Sequence, residues 1–133
     1  MKTHILRVPK GEDLLPWIEN FCAQNEIKTG WITGIGGVEK LTFGYFDKEK
    51  KEYVSLVRDE FLEILTLNGN VSLKDGKPFV HLHITCADES GKSFGGHLMP
   101  GTETFIAEIK IEEVDEILER KPDSETGLGL WEV

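Results

Sequence analysis

The chain has 133 residues and a formal net charge of −9, with the 39% hydrophobic and 29% charged content of an ordinary soluble globular protein. No apolar run approaches the ~20 residues of a membrane span, and the mixed opening MKTHILRVPK has no uninterrupted apolar signal segment, so a cytoplasmic protein of one domain, 1–133, is expected. Direct nucleic-acid binding would require a basic patch to displace counterions from phosphates, whereas residues 112–133 carry eight acids against Arg120 and Lys121.

THILRV (3–8) is rich in β-formers and opens the chain as a strand, with His4 expected at the surface; the turn PKGED follows. In DLLPWIENFCAQN (13–25) the apolar Leu14, Trp17, Ile18, Phe21 and Cys22 recur at spacings of three and four. That pattern predicts a helix capped by Asp13, with Pro16 in the first turn where its missing N–H costs nothing. From residue 31 the pattern is β: WITGIGGV, LTFGYFD, EYVSLV, FLEILTL, NVSL, FVHLHITCA, SFGGHL and TFIAEIKI, separated by turn signals such as NGN and KDGKP. The lysine cluster KEKK (48–51) reads as a solvated hairpin end. VDEILERKPDSE (114–125) fits one short helix stopped by Pro122. The sum is an α+β domain dominated by a mostly antiparallel sheet with an N-terminal helix packed on it. Cys22 and Cys86 form no metal or redox spacing and read as reduced structural thiols.

The chemistry concentrates in HLHITCADESGKSFGGHL (81–98), which holds three of the four histidines. Side chains alternate across a strand, so Val80, Leu82, Ile84 and Cys86 share the core face, while Phe79, His81, His83 and Thr85 share the other. ESG (89–91) fits a three-residue hairpin loop with glycine in the left-handed conformation, closed by Asp88 and Lys92. Paired residue numbers then sum to 180: His83 faces His97 with Cβ atoms about 5 Å apart, and His81 lies diagonally within about 7–8 Å. The same register places Leu98 opposite Leu82 on the core side, and a slip of one residue would turn His97 inward. Three converging imidazoles are a zinc-binding set that leaves the fourth tetrahedral position open. Gly95 and Gly96 remove side chains that would crowd such a site, or mark close backbone approach.

Glu63 lies inside the apolar run FLEILTL, where a buried carboxylate must be paired. It is the candidate catalytic residue, as partner to a ligating histidine or as a base, or else the salt-bridge partner of Arg7. TGIGGV is no phosphate loop, because the third glycine of that pattern would fall at Glu39; Gly34 and Gly36 instead read as sites of close backbone packing.

The ordered pieces LRVPKGEDL, GWITGIGGV, FLEILTLNGNVSLKDGKPFVHLHITCAD and GKSFGGHL resemble the PPC ("plants and prokaryotes conserved") domain, in a stand-alone prokaryotic-type form occupying nearly the whole chain. The resemblance implies a homotrimer, with His81, His83 and His97 binding a metal, zinc being expected. In plants the domain follows DNA-binding AT-hooks and serves transcriptional regulators; this chain has no AT-hook. Where plant domains read Gly-Arg-Phe-Glu-Ile-Leu, it has Glu60, Phe61, Leu62, Glu63, Ile64 and Leu65, without the arginine. Two readings follow: a trimeric zinc-binding module acting in binding or regulation, whose partners are its own copies and a small molecule or protein, or a small zinc-dependent enzyme of hydrolase type in which Glu63 assists proton transfer at metal-bound water.

Overall fold

A computed structural model describes residues 2–133. The elements run β1 (Lys2–Val8), α1 (Leu14–Gln24), β2 (Gly30–Asp47), β3 (Glu52–Arg58), β4 (Leu62–Lys74), β5 (Lys77–Ala87), β6 (Ser93–Leu98), β7 (Glu103–Glu113), β8 (Glu119–Pro122) and β9 (Gly129–Trp131). All nine strands join one sheet in the order β1-β7-β2-β6-β5-β4-β8-β9, with β3 on β2 and a further β2–β4 pairing. Every pairing is antiparallel except β4–β8. Because β2 pairs with both β4 and β6, the strands β2, β4, β5 and β6 close a circuit.

Strand alternation decides what fills the interior. Leu6 and Val8 of β1, Leu62, Ile64, Leu67 and Val71 of β4, Val80, Leu82, Ile84 and Cys86 of β5, and Ala107, Ile109 and Ile111 of β7 are all buried. Helix α1 lays Leu14, Leu15, Ile18 and Cys22 on the same core, each large side chain contributing roughly 1.5–3 kcal/mol by leaving water. Burial also pushes both thiols up to about 12, for Cys22 with help from the nearby carboxylates of Glu19 and Glu113, so neither is a reactive thiolate.

The structure departs from the sequence expectations at several places, each for a local reason. Asp13 precedes the helix but makes no side-chain cap bond; its carboxylate instead accepts from the backbone N–H groups of Gly101 and Thr102, tying the helix start to the β6–β7 connection. Asn68-Gly69-Asn70 is not a turn but runs through the middle of β4. A Cβ at Gly69 would collide with the carbonyl of His81, so glycine here serves close strand approach. His4 is not at the surface: it shares the inward face with Leu6 and Val8, is 9% exposed, and its Nε2 lies 2.9 Å from Glu113 Oε1.

The expected C-terminal helix is absent. Residues 119–122 instead form β8 along the edge of β4, Leu73 opposite Glu119 and Lys74 opposite Arg120, and β9 folds back on it. The backbone N–H of Leu73 donates to the Leu118 carbonyl. A free sheet edge offers a whole row of backbone partners, which outweighs the modest helical preference of a short segment containing proline.

Candidate metal centre

The β5–β6 turn fixes everything that follows. Asp88 Oδ1 accepts from the Ser90 hydroxyl at 2.6 Å, from the Ser90 N–H at 2.9 Å and from the Lys92 N–H at 3.0 Å. These bonds, the Ser90 hydroxyl foremost, hold its carboxyl below the usual range. Gly91 takes φ +83°, the left-handed conformation that closes a three-residue loop. The resulting register pairs His83 with His97. On the other side β4 sets Asn68 opposite His83 and Asn70 opposite His81.

His81, His83 and His97 meet. Their ring centroids are 5.1 Å (81–83), 5.1 Å (81–97) and 5.7 Å (83–97) apart, and one nitrogen from each lies within 4.8 Å of the others. Nitrogens sharing a tetrahedral zinc lie about 3.3 Å apart, within reach of small side-chain rotations. Among the described residues none of the three rings makes a side-chain hydrogen bond, and Nδ1 of His97 is buried without a partner. Buried polar atoms are nearly always paired, so this orphan fits a site made for an ion. Burial first, then the neighbouring His97 and His83 and then Arg120, pushes His81 down to about 4; burial and His83 lower His97. Both rings stay neutral near pH 7, the state in which imidazole donates a lone pair to a metal.

The surroundings are asymmetric. Tyr53 of β3 stacks on His97, ring centroids 4.4 Å apart. His81 and His83 border an open cavity of about 250 Å³ with Asn68 and Asn70, and His81 and His97 border a more enclosed one of about 210 Å³ that reaches Arg120 and the β8–β9 hairpin. Gly95 and Gly96 serve the strands rather than the site: a Cβ would collide with the Ile84 carbonyl from the first and the Gly44 carbonyl from the second.

Glu63 does not join the histidines. Alternation along β4 sends Leu62 and Ile64 inward and Glu63 outward into solvent, opposite Ala87 at the far end of β5 from His81 and His83. Glu63 and Arg7 form no ion pair among the described residues; Arg7 sits on β1 opposite Glu108. Sequence reasoning missed Tyr53 and Arg120. The former reaches the site through a β2–β3 hairpin whose pairing places it opposite Phe46, and the latter lies in an acidic tail with no local motif to single it out.

Fold and site together define a small α+β domain with a three-histidine cluster on one β-hairpin. Residues 1–115 match the Plants and Prokaryotes Conserved (PCC) domain, and the chain belongs to that family. It is similar in structure to a plant- and prokaryote-conserved (PPC) protein of Pyrococcus horikoshii, at 48% identity and TM-score 0.93 over 100% of this chain and 92% of the other. A metal-containing protein of Archaeoglobus fulgidus is 43% identical, TM-score 0.92, over 98% and 93%. A candidate DNA-binding protein of Bacteroides thetaiotaomicron is 27% identical, TM-score 0.92, over 98% and 91%. In sequence, 96% of the chain is also 33% identical to a bifunctional protein GlmU of Synechococcus, of whose length it spans only 20%.

Proposed function

We propose that this protein is a zinc-binding, homotrimeric module acting in binding or regulation, with His81, His83 and His97 as metal ligands. The observation that carries the reading is the convergence of three imidazoles that make no side-chain hydrogen bond among the described residues, one of them with a buried orphan nitrogen. The metal-containing relative from Archaeoglobus fulgidus supports it. A bound zinc would supply a fixed positive charge and one open ligand position. The chain's own residues do the remainder: burial keeps His81 and His97 neutral, Tyr53 covers one face of His97, and the two cavities give a ligand access.

Assembly into trimers is supported by an outer sheet face with exposed Ile5, Ile35 and Leu65 beside a groove of about 870 Å³, since apolar patches of this kind mark association surfaces. No helix is long and apolar enough to cross a membrane, and the two unpaired buried thiols suit a reducing, cytoplasmic setting. A DNA role would have to be reconciled with the net charge of −9. The hydrolase reading loses the residue assigned to proton transfer, because Glu63 stands outside both cavities.

The test is metal content by mass spectrometry of protein purified without a histidine tag, beside His83→Ala. About one zinc per chain is expected in the parent and little in the variant. No metal in the parent after zinc is supplied would overturn the reading.

A further inference from the structure

The enclosed cavity beside the histidines contains a cation with no counter-ion. Arg120 donates from Nε to Ser72 Oγ (3.0 Å), from one terminal nitrogen to the Gly129 carbonyl (3.1 Å) and from the other to Asn70 Oδ1 (2.9 Å). All three acceptors are neutral, and among the described residues Arg120 forms no ion pair. Its guanidinium lies between two rings, 5.4 Å from the centroid of Phe79 and 5.2 Å from that of Trp131. A partly buried charge is costly unless paired, and here the pairing partner is missing although the group is held by three hydrogen bonds and two rings. Three of five guanidinium N–H groups are used, which leaves one free donor on each terminal nitrogen for an anion's oxygens.

The other walls add one further cation, Lys74, and otherwise neutral or apolar groups. Lys74, His81 and His97 border the same cavity, Tyr53, Phe79 and Leu128 give it apolar sides, and no aspartate or glutamate lines it. Its volume of about 210 Å³ holds about seven water-sized groups. We propose that this cavity binds a small organic carboxylate, the carboxylate on Arg120 and a short apolar or aromatic body against Tyr53, Phe79 and Leu128. A phosphate would want more donors and fewer apolar walls. Arg120 and Leu128 belong to residues 116–133, outside the part of the chain that matches the family domain, so this segment supplies the anion-binding half of the site. The assignment rests on the metal reading in that zinc on His81 and His97 would add positive charge to the cavity that Arg120 and Lys74 already border.

Calorimetric titration of zinc-loaded and zinc-free protein with benzoate, with benzamide as its neutral isostere and with inorganic phosphate tests it. Benzoate is expected to saturate one site per chain, more tightly with zinc present, and to bind at least tenfold better than benzamide or phosphate. Arg120→Gln should weaken benzoate at least tenfold while zinc content stays unchanged. Because this change also removes two bonds from the C-terminal hairpin to β4 and one within the hairpin, Leu128→Trp, which fills the cavity and leaves Arg120 in place, is measured beside it and should also lose benzoate. Equal binding of benzoate and benzamide, tighter binding of phosphate, or benzoate affinity unchanged in both variants would overturn the proposal. Zinc retained without benzoate binding refutes the cavity assignment alone; benzoate bound through Arg120 by protein that takes up no zinc refutes the metal reading and its predicted tightening.

Discussion

At the scale of single residues, the histidines tie stability to pH. Burial lowers both His81, from 6.5 to about 4, and His97. A group whose folded pKa lies below its unfolded value is charged more readily in the unfolded chain. Between about 6.5 and 4 the unfolded state of the metal-free protein therefore binds more protons, and stability present above pH 6.5 is lost as pH falls toward 4. His81 is only half-buried, so solvent screening reduces the full linkage value and about 1–2 kcal/mol is expected from it. Urea unfolding of metal-free protein at about pH 7.5 and pH 5 reads this directly; His81→Phe should flatten the difference, and a parent with no difference would count against the neutral buried imidazole. Zinc binds deprotonated ligands, so at neutral pH with free zinc a hundredfold above its Kd the folded state should gain about 2.7 kcal/mol. The corresponding rise in Tm should vanish in His83→Ala.

At the scale of elements, the β5–β6 hairpin is the part of the site most legible in sequence. A period of two, a three-residue loop ending in glycine and a core face of Val80, Leu82, Ile84 and Cys86 leave only one register that puts the histidines together. The same features make that register vulnerable. A Cβ at Gly95 would meet the backbone carbonyl of Ile84, which cannot swing aside as a side chain would, so Gly95→Ala must shift the strand pair. A loss of more than about 2 kcal/mol in urea unfolding is expected, with zinc uptake falling because His97 is displaced two residues along. Other elements were less legible because partners distant in sequence decide them. β8 forms only because the edge of β4 is free, and nothing near Arg120 announces that Ser72 and Asn70 will receive its side chain. Gly69 resembles a turn glycine until β5 lies against it. His4 and Glu63 each sit on a strand whose inward face becomes clear only when the neighbouring strands are in place.

At the scale of the whole molecule, the outer face of β1, β7, β2 and β4 is the surface that the proposed trimer would use. Across it the register sets Ile5 beside Lys110 and Lys110 beside Thr33, then Arg7 beside Glu108 and Glu108 beside Ile35, so apolar and oppositely charged side chains alternate. Such a face can bury Ile5, Ile35 and Leu65 while pairing its charges with another copy. Ile5→Glu with Ile35→Glu places two acids on the patch and, without touching the core, should convert a species of three times the 15.0 kDa chain mass into one of 15.0 kDa in sedimentation equilibrium. A parent that already sediments as a single chain would remove the trimer. The groove on this face and the open cavity at His81 and His83 share Asn68, so association would also screen the exposed side of the metal cluster. The dissociated variant should still bind about one zinc per chain, because its ligands all come from one hairpin, but should release it to a chelator faster than the parent. Equal release rates would show that the interface and the metal cluster, although they meet at Asn68, act independently.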